Sequence, residues 1–206
     1  MPAGRPRSFD ENAALDAAIE VFRRYGYEGA SLDLLTGAMG INRPSLYGAF
    51  GDKAALFDKA VARYADGPGS VPLAAIEAAA DLPGAVTGFF AAAERNNCAR
   101  GRPRGCLIAC VLGEAAGADE RWRARATELA RKAEHSVAER LVRFVSPDTA
   151  GRVARTMMTL TYGLATAAKA GLSATEMRTR TEEAIAATLA LADIQDTGQD
   201  TGMRRA

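Results

Sequence analysis

Histidine is nearly missing from this chain: His135 is the single one in 206 residues, and cysteine occurs three times. One histidine excludes a histidine-built metal centre and leaves any triad dependent on that ring, whose neighbours Glu134 and Glu139 fit a solvated helix face. No Gly-x-Gly-x-x-Gly, P-loop or serine-centred elbow occurs, so the motif-borne catalytic classes are not represented. Neither enzyme activity, nor a metal, nor a cofactor is expected. No apolar run approaches the roughly 18 residues a membrane helix needs, and the first 30 residues lack a signal-peptide core. The expected location is therefore the cytoplasm, away from membranes, where thiols stay reduced. A strong charge of either sign is also lacking. The formal net charge is +1, and over residues 1–65 eight Lys and Arg balance eight Asp and Glu. A nucleic-acid partner could be held only by locally placed cations and helix N-termini.

Helical periodicity is what the chain has, and no segment alternates at period two, so the expected fold is all-α. A first helix over about Asp10–Tyr25 carries Leu15, Ala18, Ile19 and Phe22 on one face and ends at Gly26. Ser31 can cap a short helix in which Leu32, Leu35 and Met39 share a side. Gly40 can take positive φ and reverse the chain. Asn42 caps the next helix, with Arg43 and Pro44 in its first turn, where proline's missing N–H is harmless. Leu46 and Phe50 face inward and leave Arg43, Ser45, Tyr47 and Gly48 outside. A fourth helix, Asp52–Ala65, puts Leu56, Ala60 and Tyr64 on one side. Two short helices meeting at Gly40-Ile41-Asn42, with a supporting helix on either side, make a helix-turn-helix, whose second helix fits a DNA major groove.

The segment from about Arg7 to Tyr64 resembles the N-terminal domain of the tetracycline-repressor (TetR) family of bacterial transcriptional regulators. The resemblance rests on Phe22, Gly26-Tyr27, Ser31-Leu32, Leu35, Gly40-Ile41, Ser45-Leu46-Tyr47, Phe50, Lys53 and Leu56-Phe57, all in register. It implies a DNA-binding domain over 1–65, an effector-binding and dimerisation domain over 66–194, and a function as a repressor released from a palindromic operator by a small molecule. Tyr47 and Lys53 match the family's phosphate contacts, and Arg43, Pro44 and Ser45 lead the recognition helix, with Ser31 and Gly48 beside them. Arg5 and Arg7 sit on an arm able to enter the minor groove. Thr36 stands where the family usually has alanine, Gly37 weakens its helix, and Gly48-Ala49 replaces a bulky pair, so a relative's operator preference does not transfer.

Beyond Asp66-Gly67-Pro68-Gly69-Ser70, further helices are expected over Leu73–Ala80, Gly84–Asn96, Cys106–Ala116, Asp119–Phe144, Pro147–Ala170 and Ala174–Asp193. Residues 195–206, with a repeated Gln-Asp-Thr-Gly, are expected to be disordered. Val153, Met157, Leu160 and Leu164 form one stripe and Ile185, Thr188, Leu189 and Ala192 another, more apolar surface than one chain covers. That excess and the resemblance together point to a homodimer through the last two helices. Phe89, Phe90, Cys106, Cys110, Trp122, Met157 and Tyr162 are the candidates for an effector pocket, although Trp122, with Ala126, Leu129, Ala133 and Val137 continuing its stripe, reads first as a core anchor. Cys106 and Cys110 lie on one helix face near Arg104. Packing or a cavity wall is favoured for them over a redox sensor, and a thiol- or partner-switched DNA-binding regulator stands as the alternative. An enzyme with a fortuitous helix-turn-helix is the remote one.

Overall fold

The computed structural model describes residues 9–98 and 104–200, helical in nearly their whole length and with no strand among them. Helix α1 (Glu11–Gly29) starts where the Asp10 carboxylate accepts hydrogen bonds from the amides of Asn12 and Ala13 at 2.8 and 3.3 Å. It breaks at Gly26, whose φ of 75° an L side chain rarely tolerates. Helices α2 (Leu32–Met39), α3 (Arg43–Phe50) and α4 (Lys53–Asp66) are capped by Ser31, Asn42 and Asp52, whose side-chain oxygens accept from Leu34 N, Ser45 N and Ala55 N. Gly40 closes α2 at φ 66°. Thr36 is buried and donates its hydroxyl to the Leu32 carbonyl at 2.8 Å, which satisfies it where alanine would have nothing to satisfy.

Next come α5 (Val71–Ala78) and α6 (Leu82–Asn97), then a π-helical stretch, Leu107–Leu112, that runs into the short α7 (Gly113–Ala116). The bundle is completed by α8 (Glu120–Leu141), α9 (Pro147–Lys169) and α10 (Ala174–Asp200). Periodicity alone had this part as a plain α-helix from Cys106. The wider π turn is a local packing solution with no period of its own. Helix α5 begins before Leu73 because Pro72 fits its first turn, and α8 stops at Leu141, short of Phe144. Helix α10 is described as far as Asp200. Extending a helix already anchored upstream adds one bond per residue fixed, so a polar sequence can follow. Residues 201–206 lie outside the described residues.

Two apolar cores result, and the first does not stop at residue 65. Phe22, Leu35, Leu46, Phe50, Leu56 and Phe57 from the first four helices pack with Leu107, Val111, Leu112 and Trp122 from much later in the chain. Trp122, 2% exposed, stands edge-on to Phe57 at 4.9 Å between ring centroids, and Phe57 in turn meets Phe22 at 4.8 Å. Truncating an aromatic anchor of this kind costs about 3–5 kcal/mol. The second core joins α5, α6, the C-terminal half of α8, α9 and α10 through Ile76, Val86, Phe90, Leu141, Val153 and Met157.

Candidate functional site

The outer face of the helix-turn-helix is built by subtraction. Leu46 and Phe50 are buried, which turns Arg43, Pro44, Tyr47 and Gly48 outward at the start and along one side of α3. Tyr47 is 50% exposed, which leaves its ring and hydroxyl open to a docking partner. Arg43 reaches back to Asp33 of α2 at 2.8 Å, both side chains being largely exposed. Such a pair is worth at most about 1 kcal/mol, so the guanidinium can exchange it for a phosphate or a guanine edge at little loss. Lys53, first residue of α4, donates to the Glu28 carbonyl at 3.2 Å and lies over the Tyr27 ring at 4.7 Å. Ser31 caps α2, and Ser45 lies in the first turn of α3 with its amide capped by Asn42, both beside this face. Arg5 and Arg7 lie outside the described residues.

A cavity of about 90 Å³ lies in the second half of the molecule, between α4, α6, α8 and α9. Phe89, Leu129, Val137 and Met158 form its apolar wall, while Tyr64, Asn96, Cys106, Thr161 and Tyr162 bring polar atoms to it; no charged residue lines it among the described residues. Of the residues proposed for an effector pocket from sequence, Phe89, Cys106 and Tyr162 line this cavity. Phe90 and Met157 are buried in the second core, Trp122 belongs to the first, and Cys110 sits one turn beyond Cys106. Trp122 falls away from the cavity because its helix face is taken by Tyr27 and Phe57.

Asn96 donates its amide to the Tyr64 hydroxyl at 2.8 Å, and Tyr64 shares the cavity lining with Cys106. Burial first, and then the Cys106 sulfur, push the Tyr64 phenol far above its ordinary value. Burial likewise pushes Tyr162 up to about 12, with Cys106 and Glu134 adding to it. Both phenols therefore stay protonated. Burial raises the thiols of Cys98 and Cys110 as well. Thr161 Oγ1 is buried with no hydrogen-bond partner among the described residues.

Cys106 also adjoins the junction between the two cores. Its neighbour Gly105 has φ 67° and no room for a side chain: a Cβ there would lie 2.8 Å from Cys110 Sγ and 2.9 Å from the Ala165 carbonyl. The Gly105 carbonyl accepts from Arg23 Nε and Nη2 at 3.1 and 2.7 Å, and Nη2 also donates to the Asn96 carbonyl at 2.7 Å. Arg23 is 4% exposed. Lys169, at the end of α9, donates to the carbonyls of Arg23 and Arg24 just before the Gly26 break. Two cations thus tie α1 of the helix-turn-helix unit to the walls of the cavity. Sequence reading missed Arg23, Tyr64 and Asn96 as functional residues. The available signal was spacing, since Arg23 lies four after Ile19 and so on the buried stripe of α1. A broader cleft of about 820 Å³ opens beside this junction, lined by Glu20, Arg24, Asp33, Arg104 and Lys169, among others. Its ionic groups largely satisfy one another, as in the Arg104–Glu20 pair.

A capped two-helix unit with buried seam, outward polar helix and flanking support defines a helix-turn-helix DNA-binding protein. The sequence profile of bacterial regulatory proteins of the tetR family matches residues 14–60. Over 87 residues the chain is 41% identical to YezE, an HTH-type transcriptional regulator of Bacillus subtilis, covering 42% of this chain and 45% of that one. It is 44% identical over 73 residues to the HTH-type transcriptional repressor BdcR of Escherichia coli, 35% of this chain and 36% of that one. These matches span less than half the length of either curated relative. Likeness over most of the length comes from a cysteine-substituted variant of the TetR family transcriptional regulator CifR solved with 26-bp double-strand operator DNA: 30% identity, TM-score 0.78, covering 89% of this chain and 99% of that one. The chain belongs to the TetR family of transcriptional regulators.

Proposed function

We propose that the chain is a homodimeric repressor that holds an inverted-repeat operator through α3 and the start of α4 and lets go when a small neutral molecule enters the 90 Å³ cavity. The observation that carries this reading is the outward face of α3, where Tyr47, Arg43 and Gly48 are exposed over a seam closed by Leu46 and Phe50. The operator-bound state of the CifR variant supports it. Residues 1–65 read DNA, and the remainder holds the effector and the dimer contacts. Leu160, Leu164, Ile185 and Leu189 of α9 and α10 are only part-covered within the chain, and Gly163 has open space above it, which suits a second copy packed on the same two helices. The uncharged lining favours an uncharged effector, since an ion would be stripped of water there without a partner. The switch is two-state: the effector binds the arrangement whose recognition helices are wrongly spaced for DNA, and operator affinity falls by the differential.

Footprinting on the DNA flanking the chain's own gene tests the assembly. The protected site should be an inverted repeat with half-site centres one helical turn or more apart, about 34–36 Å for a single turn. Full affinity for a lone half-site would overturn the dimeric reading.

A further inference from the structure

Cys106 is the one thiol among the described residues that line the cavity, and polar groups surround it. It is partly exposed, with the Tyr64 and Tyr162 hydroxyls and the unpartnered Thr161 Oγ1 on the same lining. A pocket that bound its ligand by shape alone would have no need of a thiol with two phenols beside it. Resting on the reading of this cavity as the effector site, we propose that it captures short α,β-unsaturated carbonyl compounds as thioethers of Cys106, and that the adduct dislodges the neighbouring Gly105 carbonyl from Arg23.

The chemistry follows from the groups present. The sulfur bonds to the β-carbon as the carbon–carbon π bond breaks, and the electron pair moves onto the carbonyl oxygen. A neutral phenol placed beside that oxygen stabilises the enolate, as preformed donors do for any developing oxyanion. The thiol proton ends on the α-carbon. Nothing leaves and no oxidant is consumed. Thiols are soft, intrinsically strong nucleophiles even when only a small fraction is ionised. Size narrows the class further: a cavity of about 150 Å³ takes benzene, and this one measures about 90 Å³, so the acceptor has only about four to five heavy atoms. The absence of charge on the lining, among the described residues, excludes carboxylates and amines from the class.

The route from adduct to DNA is short. Cys106 is bonded directly to Gly105, whose carbonyl is gripped by Arg23 of α1, and the Tyr64 hydroxyl on the same cavity lining is held by Asn96, whose own carbonyl Arg23 also grips. A group added to the sulfur presses on both holds at once. Gly105 cannot yield sideways, because Cys110 and Ala165 already occupy the space around it.

The test treats the full-length dimer with substoichiometric methyl vinyl ketone, with butanone as a control of similar size that lacks the double bond, and reads adducts by peptide mass spectrometry and DNA affinity by anisotropy. Cys106 should react at least about tenfold faster than Cys98 or Cys110, a difference of ~1.4 kcal/mol in barrier. Tyr162→Phe, which removes one hydroxyl and keeps the ring, should slow that reaction about tenfold while the thermal midpoint stays near that of the parent. Treated protein should release DNA, whereas butanone should not displace it, and Cys106→Ala should stay bound in the presence of the probe. Equal labelling of the three cysteines, or none at Cys106, overturns the capture site. Labelling of Cys106 without loss of DNA affinity overturns the coupling through Arg23. Adduct formation is measured without DNA, so a chain that bound no operator would sink the repressor reading and still decide this one.

Discussion

Replacing Arg23 with methionine removes four charge-assisted hydrogen bonds, three to backbone carbonyls and one to Glu20, while leaving a side chain of similar reach in the same slot. In the parent, Arg23 is 4% exposed and serves the carbonyls of Gly105 and Asn96. The substitution strands two carbonyls in the interior, and an unsatisfied buried acceptor costs about 1–3 kcal/mol. The guanidinium's own desolvation is relieved, which offsets part of this, and Glu20 keeps Arg104 as a partner. The net expectation is a loss of about 2–4 kcal/mol, which for a chain of about 200 residues lowers the thermal midpoint by roughly 5–15 °C. Urea unfolding of the dimer at fixed protein concentration gives the free energy. Fluorescence anisotropy with operator DNA gives the second readout: Arg23→Met should bind DNA at low temperature but respond weakly to effector, because α1 is no longer tied to the cavity wall. A loss below about 0.5 kcal/mol, or an effector response equal to the parent's, would refute the claim that this residue couples the two halves.

Two further outcomes bear on the DNA face and on the backbone. Lys53→Ala should weaken all sequences alike and lower the salt slope of binding by about one unit, whereas Arg43→Ala should change base preference at one position; equal losses for Arg43→Ala on operator and random DNA would make it a phosphate contact only. Gly37→Ala should stabilise by about 0.5–1 kcal/mol, since the glycine is inside α2 with open space where the Cβ would go, while Gly105→Ala should destabilise by at least about 2 kcal/mol because it clashes at a positive φ; calorimetry that found the same sign for both would contradict this.

Local signals carried most of the first four helices. The caps at Ser31, Asn42 and Asp52 and the turn at Gly40 are written in short-range chemistry, and each lies where its residue type calls for it. Long-range pairing left no comparable trace. Nothing near Arg23 in the chain announces that its partner is the carbonyl of Gly105, 82 residues on. The same holds for Trp122, whose helical stripe identified it as an anchor but could not say that Phe57 would be the surface beneath it. Cys106 was noticed for its place near a helix start, yet the feature that gives it meaning, the cavity it shares with Asn96 and Tyr64, joins three elements that no spacing rule connects.

The first core has a consequence for modular exchange. Grafting the reading helices of a repressor onto a foreign sensor presumes a clean joint after α4, but here Leu107, Val111, Leu112 and Trp122 form the floor on which Phe22 and Phe57 rest. A chimera cut at residue 65 would expose two aromatic rings that are 0% exposed in the parent and would gather into aggregates. A working transplant has to carry the π turn, α7 and the first turns of α8 along with it. The first four helices of this chain thus share one core with residues 107–122, and neither part is whole without the other.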